Sequence, residues 1–185
     1  MNQYSPATTT ATPVNSDGRA NPVETGCCPP FNPAHFHDQE ITWKDKAFVK
    51  ERVHGVFHIP LDIGRKMSKA MRLIEASHAK TAEGLMLSDE KSPWRSDLYI
   101  DVSGPVEGAE MASLSGTFLT RVYEGPFRDA PKWCEDMKRY VVSRGRTLRK
   151  MYLGYTTCPS CAKAYGKNYA VVFAEVEPAA PVRAV

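Results

Sequence analysis

The sequence has no apolar run near the roughly 18–20 residues that a membrane span needs, so no membrane partner is expected. Its first stretch, "MNQYSPATTTATPVNSDGRANPVETG", lacks the apolar segment of a secretory signal. Charge of one sign is scarce: 24 Lys and Arg stand against 21 Asp and Glu, for a net +3. The two signs are interspersed, which excludes a nucleic-acid groove or a polybasic membrane patch. There is no phosphate-binding glycine loop, no G-x-S-x-G and no H-E-x-x-H. Cysteine is sparse and odd in number: Cys27, Cys28, Cys134, Cys158 and Cys161. An odd count without a signal sequence argues for reduced thiols and a cytoplasmic location.

What is present is enough for one domain with a core. The chain has 185 residues, 42% hydrophobic and 24% charged, as a soluble globular protein has. Residues 1–25 are rich in Thr, Ala, Pro and Asn and read as a disordered tail, as do residues 178–185. Residues 26–47 read as an N-terminal arm carrying the adjacent Cys27 and Cys28, and residues 48–177 as the domain. The stretch "DQEITWKDKAFVKE" mixes charge with Trp43, Phe48 and Val49 and is expected to lie across the domain as a lid or strap.

An internal repeat organises the domain. When "FHIPLDIGRKM" (57–67) is set above "YEGPFRDAPKW" (123–133), His58 falls on Glu124, Pro60 on Pro126, Lys66 on Lys132 and Met67 on Trp133. Each segment follows a strand-like stretch and precedes an amphipathic helix. Met67, Ala70, Met71 and Ile74 recur at helical spacing in the first, and Trp133, Met137, Tyr140 and Val141 in the second. Gly145 supplies a C-terminal stop. Strands are predicted at about 84–88, 97–102, 148–156 and 168–176. The order is β-α-β-β, twice, and agreement over both halves weighs against a chance match of so short an aligned stretch. Burial then implies an α+β domain: an antiparallel sheet with two helices on one face and a central cleft.

Several residues could carry chemistry in such a cleft. Glu124 shares a strand face with Phe118, Thr120 and Val122, where lost solvation would suit it to acid–base work. The bland alternative is a surface carboxylate near a helix start. His58, its repeat-mate, could assist in activating water, and His54 shares that weaker claim. Aromatics stack planar ligands and attract cations. Tyr123, Tyr152 and Tyr155, on strands and with polar tips, are candidate ligand-binding residues, together with Trp94 and Tyr99. Trp133 belongs to an apolar helix stripe and reads as core. "CPSC" has the spacing of a zinc half-site at Cys158 and Cys161, in an expected hairpin. Cys27 and Cys28, with His35 and His37 close behind, are the other ligand source. Such zinc would be structural. Redox use of Cys158–Cys161 and plain thiol packing remain as alternatives.

"VYEGPF", a strand running into a Gly-Pro-aromatic turn before a helix, together with the doubled β-α-β-β order over roughly 48–177, resembles the GyrI-like small-molecule-binding family. The resemblance implies a concave, aromatic-lined cleft between the halves that takes planar or cationic organic compounds, with no obligatory cofactor. Part of the family is implied to hydrolyse electrophilic ring compounds. This chain departs from the family pattern in "KMYLGYTTC", which lacks the glutamate of many drug-binding relatives, and in "CPSC". No helix-turn-helix precedes the domain, which argues against a transcription factor. The expectation is a stand-alone binder of a small aromatic or xenobiotic compound, with hydrolysis as the sharper reading. Sequestration without turnover, and a zinc- or thiol-based sensor, are the alternatives.

Overall fold

Eighteen residues, Gln39–Val56, form the first strand, β1, although "WKDK" interrupts its alternation of apolar and polar side chains. A bulge between Trp43 and Lys46 absorbs the interruption. Asp45 adopts a left-handed φ of 50° there. Its N–H donates to Ser115 Oγ at 2.8 Å, and that hydroxyl donates back to Asp45 Oδ1 at 3.0 Å. The bend lets one strand serve two neighbours: residues 39–49 pair with β5 (Met111–Glu124) and residues 48–54 with β4 (Arg95–Asp101).

The computed structural model describes residue 28 and residues 31–56, 59–81 and 84–178. After β1 come a two-residue strand β2 (Ile59–Pro60), helix α1 (Ile63–Ala76), β3 (Met86–Ser92), β4 and β5. Helix α2 (Ala130–Ser143), β6 (Leu148–Tyr155), helix α3 (Pro159–Tyr165) and β7 (Tyr169–Val176) complete the order. The sheet runs β1-β4-β3-β6-β7-β5 and returns to β1, antiparallel throughout. A sheet closed this way has no long edge. Strand, helix, strand, strand does occur twice, with β2 and α3 added. The expected antiparallel sheet with two helices on one face is present, but it closes into a barrel, so its other face is the barrel interior where a central cleft was expected.

Closure changes what the inward face is for. Phe48, Leu87, Phe118, Val171 and Phe173 are fully buried there, with Tyr99 and Tyr152 nearly so. Trp43 lies 4.5 Å from Phe118 between ring centroids. A Cβ built on Gly154 would come within 2.8 Å of the Phe173 ring, so glycine is what lets that ring lie flat on β6. The inward face is therefore a packed aromatic core.

The two helices cover the outside in separate patches. Ala70 and Ile74 of α1 pack on Val49, Ile100 and Val102, whereas Met71 is 40% exposed. Trp133, Met137, Tyr140 and Val141 of α2 pack on Leu119, Val172, Ala174 and Val176. Gly145, at φ 64°, ends α2: its N–H donates to the Val142 carbonyl and that of Arg146 to the Val141 carbonyl. His78, at φ 51°, does the same for α1 through Glu75 and Ile74.

The expected arm and the expected hairpin both differ. Residues 39–47 are the first half of β1 and pair along β5. The "CPSC" segment opens helix α3, with Pro159 in its first turn and Gly166 at φ 67° ending it. No helix among the described residues is long and apolar enough to cross a membrane.

Candidate functional site

In the sheet order, α1 takes the outer face of β1 and β4, and α2 that of β5, β6 and β7. The pair β3–β6 lies between them. Its register sets Met86 opposite Tyr155, and Ser88 opposite Leu153. Met86 packs at the margin of the α1 cluster and Leu153 at that of the α2 cluster. Ser88, Glu90 and Tyr155 share this outward face by the period-two rule and form the floor of a groove between the helices.

The "EGPF" turn furnishes one wall. Gly125 sits at φ 146°, where an L side chain is strained, and a Cβ there would meet the Trp133 ring at 3.5 Å. Its N–H donates to the Asn168 carbonyl at 3.0 Å, and Asn168 Nδ2 donates to the Gly125 carbonyl at 2.6 Å. So held, the turn sets Phe127 edge-on to Tyr155, with centroids 5.0 Å apart and planes at 87°. Phe127 is 38% exposed, and Trp94, in the turn after β3, is 52% exposed.

The floor is polar. The Ser88 hydroxyl, almost wholly buried, donates to Glu90 Oε1 at 2.6 Å. Glu90 is exposed. Burial pushes the Tyr155 hydroxyl up to about 12, the Glu90 charge adds to this, and hydrogen bonding to Ser88 opposes it. The phenol is thus a proton donor at neutral pH. Cys134 of α2 faces the same region. Burial first, then the Glu135 and Glu90 charges, push its thiol up against the pull of Lys138, so it stays protonated. A carboxylate, a phenol and an exposed aromatic ring can hold a planar or electron-poor compound and deliver water to it.

The structure scatters the residues that the sequence grouped. Of the five candidate ligand-binding aromatics, Tyr155 lies at the groove, and Trp94 lies in the turn between β3 and β4. Tyr99 and Tyr152 are inside the barrel, perpendicular to each other with centroids 5.9 Å apart. Burial first, then Glu175, holds the Tyr152 hydroxyl above the usual tyrosine range. Tyr123 stacks on Trp133 at 5.7 Å and donates to Asp136 at 2.9 Å. Glu124 ends β5 opposite Tyr169 and is exposed. His58 lies outside the described residues, as does Cys27. His54 is 65% exposed and pairs with Asp62 at 3.3 Å. Sequence reasoning passed over Ser88, Glu90 and Phe127. The signal is present in "MLSDEKS", where Ser88 and Glu90 are two apart on one strand face, but the expected strand stops at 88 and the observed one runs to Ser92.

The cysteines converge. The sulfurs of Cys28, Cys158 and Cys161 lie within 4.8 Å of one another. His35 bonds Asn32 at 3.2 Å, and His37 accepts the Val122 N–H at 3.3 Å.

Comparisons place this geometry in a family. An uncharacterised conserved protein from Listeria innocua superposes with a TM-score of 0.57 at 12% identity, over 75% of this chain and 91% of its own. A hydrolase encoded by lin2189 of Listeria innocua gives 0.55 at 12% identity, over 77% and 93%. The EcmrR C-terminal domain gives 0.51 at 13% identity, over 75% and 94%. At these identities the likeness is one of fold, and the fold is the GyrI-like one. A search of curated proteins finds no match. The family model described as "Bacterial hydrolase" matches residues 19–176, spanning the barrel, both outer helices and the groove between them, and the chain belongs to that family.

Proposed function

We propose that the protein binds a small, largely aromatic organic compound in the groove between α1 and α2 and hydrolyses it. One observation carries the reading: a solvent-facing carboxylate, Glu90, fixed by Ser88 beside the protonated phenol of Tyr155 and the exposed ring of Phe127. The family description supports a hydrolytic reaction. Glu90 would take a proton from water as the water oxygen bonds to an electrophilic carbon. The cleaved bond's electron pair would go to the departing atom, which Tyr155 would protonate, and the proton on Glu90 would restore the phenol. Each such proton transfer contributes roughly a hundredfold to ten-thousandfold in rate. Phe127 would hold the ring system.

The test is a thermal-shift screen of planar and electrophilic compounds, followed by mass spectrometry of each hit over time. The reading expects hits that gain the mass of one water, and a fall in turnover of at least about a hundredfold in Glu90→Gln with binding kept. Hits that stay chemically unchanged would make the groove a sequestering site. Loss of turnover in Glu124→Gln or His58→Ala, with Glu90→Gln active, would move the chemistry to the strand end.

A further inference from the structure

The structure assigns a metal site to Cys28, Cys158 and Cys161, outside the groove. We propose that these three thiolates bind one zinc ion, which fastens the N-terminal segment across one end of the barrel.

Three thiols from two distant stretches of chain meet here. Cys158 is the residue before α3 and Cys161 lies in its first turn, so the three-residue spacing sets their sulfurs on one side, 3.4 Å apart. A disulfide would bring them to about 2.05 Å. Around a tetrahedral zinc with Zn–S bonds of about 2.3 Å, neighbouring sulfurs are about 3.8 Å apart. All three sulfurs fall within 4.8 Å of one another, so shifts of about 1 Å or less complete the arrangement. The backbone N–H of Cys158 donates to Cys28 Sγ at 3.4 Å, a contact that favours a thiolate. The Tyr165 hydroxyl donates to the Cys28 carbonyl and anchors the same segment to α3. Cys161 is 1% exposed, while the other two are half-buried. Thiolate-rich sites of this kind select zinc over the hard cations.

The place in the fold says what the ion would do. Just beyond Cys28, Phe31 stacks on Phe36 at 5.7 Å and touches Tyr169 at 5.7 Å. Phe36 meets Phe173 at 5.8 Å, and its carbonyl accepts the Thr120 hydroxyl at 2.7 Å. The segment is thus a plug on the aromatic interior, and zinc at its start would clamp it to the β6–β7 connection.

The full-length protein, purified under reducing conditions without an affinity tag that binds metal, is analysed for zinc by mass spectrometry and reloaded with cobalt(II). The expected results are about one zinc per chain and the thiolate-to-cobalt charge-transfer and strong visible bands of a tetrahedral site. Cys28→Ser, Cys158→Ser and Cys161→Ser should each weaken zinc at least about tenfold, whereas Cys134→Ser keeps it. Removal of zinc by a chelator should raise amide exchange across residues 31–38. Substoichiometric zinc after reloading, cobalt bands without thiolate character, or zinc kept by the three variants would each overturn the assignment. The cobalt spectrum of the unmutated protein decides the matter even where a variant fails to fold.

Discussion

Burial, the Glu90 charge and a neighbouring serine act together on the hydroxyl of Tyr155, and the balance raises it to about 12. Tyr123 and Tyr152 are raised too, burial being the first cause in each. An unfolded tyrosine ionises near pH 10. These folded-state values lie higher, so the phenols contribute stability that is fully present below about pH 10 and lost as pH rises through the folded values. The denaturant midpoint is therefore expected to fall steeply above about pH 10, and less steeply in Tyr155→Phe. Equilibrium unfolding at a series of alkaline pH values checks it. At neutral pH, Cys134 should alkylate slowly, because its raised thiol supplies little thiolate. Time-resolved mass spectrometry with iodoacetamide reads that rate, and fast labelling would contradict the burial argument. Residue by residue, the candidate site was half legible. Alternation along β5 correctly set Glu124 on the face of Phe118 and Thr120, but that face turns inward on a packed core. Glu90 was hidden because Asp89, on its inward side, is itself charged and ion-paired with Lys150. The pattern expected of a half-buried strand is therefore absent from "SDEKS".

At the scale of elements, the helices read well because they follow one rule. Ala70 with Ile74, and Met137 with Tyr140 and Val141, are buried at helical spacing, and Gly145 stops α2 as its sequence position implies. His78 ends α1 in the same left-handed conformation without glycine's freedom. His78→Gly is accordingly expected to stabilise the protein by about 0.5–1 kcal/mol, measured from denaturant midpoints. Gly125→Ala should cost about 1–3 kcal/mol, because its φ of 146° is essentially glycine's. An unchanged midpoint would mean the turn relaxes freely. Two elements escaped the sequence for physical reasons. The first half of β1 carries Lys44, Asp45 and Lys46, and only the bulge at Asp45, fixed by Ser115, restores its register. Helix α3 is seven residues long, too short for a periodic signal, and its cysteines invited a hairpin instead.

For the whole molecule, closure is the decisive fact and the least visible one. Whether six antiparallel strands stay open depends on β1 pairing with both β4 and β5, a long-range outcome that no local pattern encodes. Closure fills the expected cleft with a core, and the ligand site proposed above lies on the outer face of β3–β6. Phe118 touches Trp43 and Tyr152 inside that core. Phe118→Ala should cost about 3–5 kcal/mol and lower the unfolding midpoint of the whole barrel in one transition. The most direct test of where the ligand sits is chemical-shift mapping of the isotope-labelled protein titrated with a hit from the screen. The groove account predicts perturbations centred on Ser88, Glu90, Phe127 and Tyr155, with Phe48, Phe118 and Phe173 unmoved. Perturbations centred on those three interior phenylalanines, with the groove silent, would contradict it.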